Sequence, residues 1–118
     1  MKVLIVEDEL LIAKVYSIHF SKSGVQVIAT VTHPDDAIEI MKNETPDAII
    51  LDVQLKGGAD GIGFARLLRK SWNGPIVFTT GNSYIKTNQD ISDIPNCFVM
   101  TKPVESELLL RKIREMMK

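Results

Sequence analysis

Four short places in this 118-residue chain carry side chains that could do chemistry together. Glu7 and Asp8 follow Val3-Leu4-Ile5-Val6, and Asp52 follows Ile49-Ile50-Leu51. Thr80 closes Phe78-Thr79-Thr80, and Lys102 stands before Pro103 in Thr101-Lys102-Pro103. A bare carboxylate at the end of an apolar run is costly unless something nearby compensates it. Two carboxylates about 4 Å apart repel by roughly 4 kcal/mol at an effective dielectric near 20. A pocket holding Glu7, Asp8 and Asp52 therefore needs a cation or raised pKa values. Oxygen-only ligands in a wet cleft suit Mg²⁺, which keeps several waters and takes one or two carboxylates. Lys102 would add a positive charge and Thr80 a hydroxyl donor. A carboxylate so surrounded can accept a phosphoryl group, with the cation and the lysine screening its equatorial oxygens while Asp52 attacks in line.

Other chemistries lack their parts. No Ser or Cys nucleophile stands beside a histidine, and His19 and His33 fall in helical or loop positions away from the acids. Gly57, Gly58, Gly61 and Gly63 match neither a dinucleotide fingerprint nor a phosphate-binding loop. A small Mg²⁺-dependent phosphohydrolase using Asp52 as nucleophile usually has a second acid two residues on, where this chain has Gln54.

The elements that must position these groups alternate between short β-branched runs and amphipathic segments, the pattern of βα units and a parallel sheet. Strands are expected over Val3 to Val6, Val25 to Val31, Ala48 to Leu51, Ile76 to Thr79 and Cys97 to Met100. The first, third and fourth are almost continuously apolar, as strands covered on both faces are. Leu11, Val15 and Ile18 give the first helix an apolar stripe, and Gly24 a stop. Thr32-His33-Pro34-Asp35 starts a second helix with Ala37, Ile40 and Met41 on its apolar face. Ile62, Ala65 and Leu68 mark a third, ended by Asn73-Gly74-Pro75, with Trp72 covering apolar surface. The segment from Ser83 to Ile94 is poor in helix formers and predicts a short or mobile helix. The last helix runs from about Glu105, with Leu109, Ile113 and Met116 on one stripe. In open parallel sheets the working site lies beyond the carboxyl ends of the strands, which is where the acids, Thr80 and Lys102 fall.

The totals narrow the class further. The length fits one domain, expected over residues 1–118, and a formal net charge of -1 offers no basic field for nucleic acid or an anionic membrane. Apolar runs are far shorter than a bilayer span, and Met1-Lys2 leads into too brief a run for a signal peptide. The single cysteine, Cys97, excludes an internal disulfide and is expected to be buried and inert. These features predict a cytoplasmic protein.

Val3-Leu4-Ile5-Val6-Glu7-Asp8-Glu9, Ile50-Leu51-Asp52, Phe78-Thr79-Thr80-Gly81 and Thr101-Lys102-Pro103 resemble the hallmarks of two-component response-regulator receiver domains. The likeness covers essentially the whole chain, in order and with fitting spacings. It implies a flavodoxin-like, doubly wound α/β fold of five parallel strands in order 2-1-3-4-5 with five helices. It further implies that Asp52 is phosphorylated from a sensor kinase's phosphohistidine. Asp8 and Asp52 would bind Mg²⁺ directly, with Mn²⁺ as a substitute, while Glu7 acts through water and the Gln54 backbone carbonyl is a further ligand. Thr80 would hydrogen-bond the new phosphoryl group, Lys102 would pair with it, and the Lys102–Pro103 bond would be cis.

Three departures stand out. The loop from Asp52 to Gly61 is one residue longer than the common pattern and lacks its proline. Val99, preceded by Phe98, stands three residues before Lys102, where many relatives carry a switching aromatic. Gln54 and Asn82 occupy positions that tune dephosphorylation in the family.

The chain's stop at Lys118, with no DNA-binding module after it, predicts a stand-alone, chemotaxis-regulator-like module or a receiver excised from a longer regulator or hybrid kinase. It would be a signalling phosphoacceptor, not an enzyme with turnover. Its implied partners are a sensor histidine kinase or phosphotransfer protein and a downstream protein. Direct nucleic-acid contact and membrane insertion are not expected, and a homodimer through the fourth-helix face is compatible with the family. The rival readings are the phosphohydrolase and a degenerate receiver that only docks or dimerises.

Overall fold

The protein's structure, a computed structural model, describes residues 1–81 and 88–118. In chain order the elements are β1 (Lys2–Val6), α1 (Leu10–Lys22), β2 (Gln26–Val31), α2 (Pro34–Met41), β3 (Ala48–Asp52), α3 (Gly61–Leu68) and β4 (Ile76–Thr80). A helical stretch at 88–90, called α4, precedes β5 (Cys97–Thr101) and α5 (Ser106–Met116). All strand pairs are parallel, in the order β2-β1-β3-β4-β5. The fold is the flavodoxin-like doubly wound sheet, with five helices among the described residues.

Composition separates the interior strands from an edge. The continuously apolar runs of β1, β3 and β4 are the interior strands, fully buried because helices cover both faces. The edge strand β2 is half-exposed. It begins at Gln26 and not at Val25, which stays buried before it. Alternation along each strand divides the core in two. Leu4, Val6, Ile49, Leu51, Ile76 and Phe78 pack toward α2 and α3, joined by Ile91 and Ile94. Val3, Ile5, Ile50 and Val77 pack toward α1 and α5, against Tyr16, Phe20, Leu109 and Ile113. By the same alternation, Glu7 and Asp52 end their strands on the α1/α5 side.

One helix face is reversed from the sequence expectation. Leu11, Val15 and Ile18 are 81%, 59% and 47% exposed, and α1 buries Ala13, Tyr16 and Phe20 instead. Ala13, Tyr16 and Phe20 are spaced i, i+3, i+7, which is as helical as the i, i+4, i+7 of Leu11, Val15 and Ile18, so the helix carries two apolar stripes. The two aromatics win because they remove more apolar area from water, and their rings stack at 6.5 Å. Accordingly, Leu11→Ser is expected to shift the melting temperature by no more than about 2 °C, the range of an exposed substitution. A large loss on thermal melting would show that Leu11 is a core residue after all.

The other helices follow expectation more closely. α2 starts at Pro34, with His33 as its cap accepting from the Asp35 N–H at 3.1 Å. On α3, Ile62, Ala65 and Leu68 are buried, and on α5 Leu109 and Ile113 are buried with Met116 packed beside them. Trp72 donates from its indole N–H to the Pro46 carbonyl at 3.1 Å and packs against the core. For the weak helical segment, residues 83–87 lie outside the described residues; 88–90 are helical and 91–93 form a turn. Arg66 anchors that turn to α3, pairing with Asp93 at 3.0 Å. No helix among the described residues is long and apolar enough to cross a membrane.

Candidate functional site

Parallel pairing of β1 and β3 brings their carboxyl ends side by side, with Val6 opposite Leu51. Glu7 and Asp8 therefore emerge next to Asp52, and one carboxylate oxygen from each of the three lies within 4.8 Å of the others. Asp52 is the last residue of β3, so the strand runs one residue beyond the Leu51 end expected from sequence. Both Asp52 and Glu7 are nearly inaccessible, Glu7 at 1%.

Charge in this buried cluster is balanced from β5. The chain leaves β5 at Thr101, and the Lys102 N–H bonds the Thr80 carbonyl at 2.7 Å. The Lys102–Pro103 peptide is cis, as expected. Lys102 Nζ thereby reaches Asp52 Oδ2 at 2.9 Å and Glu7 Oε1 at 3.0 Å, with Glu9 Oε1 at 3.6 Å. The other Asp52 oxygen, Oδ1, accepts the Gln54 backbone N–H at 3.1 Å. Glu7 Oε2 accepts the Glu9 N–H, whereas Glu7 Oε1 is close to Lys102 but has no directed hydrogen bond among the described residues.

Burial, then the contact with Asp52, pushes the Glu7 pKa up to about 7. For Lys102, burial works against the charge, but the pairs with Asp52 and Glu7 outweigh it and hold the ammonium well above its ordinary range. Three convergent carboxylates facing one ammonium leave the site short of positive charge, and an under-coordinated buried oxygen points the same way. An oxygen-rich site of this kind fits a hard divalent cation.

The pH dependence has a definite sign. Below about pH 7, Glu7 in the metal-free protein keeps its proton and the cluster is less negative. A divalent cation binding among these carboxylates would have to displace that proton, so the affinity for added Mg²⁺ is expected to be about tenfold weaker at pH 6 than at pH 8 by calorimetry. A raised carboxyl pKa also stabilises the metal-free fold most below the ordinary glutamate range, a contribution lost as pH rises through 7. Equal affinities at the two pH values would show that Glu7 does not titrate with the site.

Thr80 is buried at the end of β4, beside the cluster because β4 pairs with β3. The remaining loop, from 53 to 61, closes tightly. Leu55 N–H bonds the Ala59 carbonyl, Gln54 bridges Asp60, and Gly61 N–H returns to the Val53 carbonyl at 2.9 Å. Gly57 and Gly58 adopt φ of 74° and 77°, which glycine permits at no steric cost. Within this loop Lys56–Gly58 form a 3-10 turn.

Three neighbours were not singled out in sequence. Glu9 is the third acid of Glu7-Asp8-Glu9, a run that could have signalled it. Tyr16 is buried beside the acids, and burial followed by the Glu7 charge pushes its phenol up to about 12. Gly61 has the tightest contact: a Cβ there would lie 2.1 Å from the Asp52 carbonyl oxygen. Val99, three residues before Lys102, is buried, and Phe98 is partly exposed with Lys112 Nζ 3.9 Å above its ring. Cys97 is half-buried, not fully so; its Sγ lies 3.2 Å from the Ile94 carbonyl, and burial pushes the thiol pKa up. Asn82 lies outside the described residues.

Comparison with known proteins identifies the family and the fold. A family profile described as the response regulator receiver domain matches residues 3–114. The transcriptional regulatory protein RstA of Escherichia coli K12 is 29% identical over 112 residues, 95% of this chain and 46% of that protein, so the chain spans about half its length. The BeF3-activated N-terminal receiver domain of Klebsiella pneumoniae RstA superposes with a TM-score of 0.86 at 27% identity, covering 100% of this chain and 99% of that one. The signal receiver domain of a modulated diguanylate cyclase from Desulfovibrio desulfuricans G20 gives 0.86 at 29% identity over 98% and 92% of the two chains.

Proposed function

The chain belongs to the response regulator receiver domain family of two-component signalling, and from that premise we propose that Asp52 accepts a phosphoryl group from a histidine kinase or a phosphotransfer protein. The observation that carries this reading is the Asp52 carboxylate held 2.9 Å from Lys102 inside the cluster with Glu7 and Asp8. Asp52 Oδ2 forms the new bond to phosphorus. The P–N bond of the donor phosphohistidine breaks, and its electron pair stays with the leaving imidazole. The Gln54 N–H on Oδ1 fixes the direction of attack. Lys102 exchanges its carboxylate contact for the phosphoryl oxygens, and the Thr80 hydroxyl closes on them.

Asp8 and Asp52 would hold Mg²⁺ directly, with Mn²⁺ as a substitute, Glu7 through water and the Gln54 carbonyl as a further ligand. The ion, when bound, neutralises charge on the transferring phosphoryl group. A surface for the phosphodonor lies beside the site, where the exposed Leu11 and Val15 of α1 border a groove with Pro103 and Val104 that reaches Lys102.

The added charge of about -1.5 to -2 then shifts the α4/β5/α5 face between two conformations read by a downstream protein. Val99 is buried, so this switch works without an aromatic at that position, and the partly exposed Phe98 is the aromatic on the face. The same face would serve a homodimer. In this reading the protein is cytoplasmic and is a phosphoacceptor, not an enzyme with turnover.

Intact-mass spectrometry after incubation with Mg²⁺ and acetyl phosphate tests the proposal. One phosphoryl group is expected on the parent, and none with EDTA or in Asp52→Ala. A folded, Mg²⁺-binding protein that gains no phosphoryl group even from a phosphorylated histidine kinase would instead be a docking or dimerisation domain. Sustained turnover of a small phosphomonoester would favour the phosphohydrolase.

A further inference from the structure

The α2/α3 side of the sheet carries a groove that has no part in the site described so far. It is an open depression of about 440 Å³, walled by Ile38 and Met41 of α2, Leu67 of α3 and Trp72 just after it. Leu67 is 48% exposed, and Ile38, Met41 and Trp72 are half-buried, so the walls are apolar and open to water. One exposed leucine is ordinary. Four large apolar side chains around one depression form a patch of the kind that partners cover, and Trp and Met are enriched in such patches. The Trp72 ring is also fixed in advance. Its indole N–H is held by the Pro46 carbonyl at 3.1 Å, and the Arg69 guanidinium lies 5.5 Å from the ring centroid. A wall already held in place loses little side-chain freedom when it is covered.

The rim of the groove is basic. Lys42 and Lys70 line it from its two sides, and among the described residues no carboxylate does. Lys42 pairs with Glu39 at 3.0 Å, but both side chains are exposed and water screens the contact. Beside Trp72, Arg69 spends its donors on the backbone carbonyls of Trp72, Gly74, Pro95 and Asn96, contacts that leave its charge unneutralised. In a chain of net charge -1 this is a local excess of positive charge. The flanking helices α2 and α3 are eight residues each, about 12 Å long, a length that matches about two turns of a third helix. We propose that this groove docks an acidic amphipathic helix of a partner protein. Its apolar side chains enter beside Leu67 and Trp72, and its carboxylates meet Lys42 and Lys70. The apolar contacts supply affinity, while the rim charges select an acidic partner over a basic one. The groove lies on the opposite side of the sheet from Leu11 and Val15, so it can be filled while the phosphodonor surface stays open. The inference does not rest on Asp52 being the phosphoacceptor.

Trp72 is the chain's only tryptophan, so its fluorescence reports on the groove. The probes are two synthetic helical peptides about three turns long, with leucines at the same i, i+3, i+4 and i+7 positions and either glutamate or lysine elsewhere. Added to the full chain, the acidic peptide should move the Trp72 emission to shorter wavelength and saturate, and the basic one should not. Half-saturation should need about tenfold more acidic peptide for the double variant Lys42→Glu/Lys70→Glu and for Leu67→Ala. These substitutions alter exposed side chains, so each variant should melt within about 2 °C of the parent, which separates lost docking from lost folding. An emission shift that follows protein concentration without peptide would put a second copy in the groove and overturn the inference. Equal responses to the two peptides, no response to either up to millimolar concentration, or a charge-reversed variant that binds like the parent would overturn it as well.

Discussion

Lys102→Ala is expected to bind Mg²⁺ about tenfold more tightly than the parent while responding less to phosphorylation. The two effects have opposite signs because Lys102 plays opposite parts in the two states. In the resting protein its ammonium sits 2.9 Å from Asp52 and 3.0 Å from Glu7, competing with a cation for the same oxygens. Unit charges 4 Å apart are worth about 4 kcal/mol at an effective dielectric of 20. The side chain is 14% exposed, so only part of that is screened away, and one-third of it is already a factor of ten in affinity. Without metal the variant should be less stable than the parent by about 3 kcal/mol, since removing one partner leaves buried carboxylates uncompensated. The deficit should be larger at pH 8 than at pH 6, where Glu7 can take up a proton instead. Calorimetric titration with Mg²⁺ decides the matter: unchanged or weaker binding would mean that Lys102 does not oppose the cation.

Gly61→Ala should be the most damaging small substitution near the site. Gly61 opens α3, and its backbone lies so close to the end of β3 that an added Cβ would stand 2.1 Å from the Asp52 carbonyl oxygen and 3.1 Å from the Val53 Cα. Both obstacles are backbone, in the central strand β3, so neither can yield by changing a rotamer. Overpacking of this kind typically costs 1–3 kcal/mol. With the strand end held between β1 and β4, the upper end is expected, about 3 kcal/mol, or a fall of roughly 12 °C in melting temperature. Asp52 would shift with its carbonyl, and acyl-phosphate formation should fall with it, since small misplacements of a reacting group cost orders of magnitude in rate. A melting temperature within 2 °C of the parent's would mean that the loop relaxes freely and is not clamped to β3.

Much of the fold could be read from pattern because the pattern reports burial on both sides of the sheet. Runs such as Val3-Leu4-Ile5-Val6 and Ile49-Ile50-Leu51 have no polar face and can only be interior strands of a covered parallel sheet. Once they are, Glu7, Asp8, Asp52, Thr80 and Lys102 must gather at one end. Periodicity failed on α1, where two apolar stripes share one helix and pattern carries no measure of area; packing chose the stripe with Tyr16 and Phe20 and left Leu11, Val15 and Ile18 facing water.

The sequence by itself thus determined the parallel sheet, its interior strands and the identity of the clustered groups, since those follow from which residues can tolerate water, while the strand order came from the family resemblance. Only the tertiary structure decided the course of the 53–61 loop, the clamp at Gly61, the buried phenol of Tyr16 and the groove beside Trp72. Each of these depends on distances between segments far apart in the chain, to an ångström or less. Contact at that scale is set by how packed elements meet, and no local pattern of residue types encodes it.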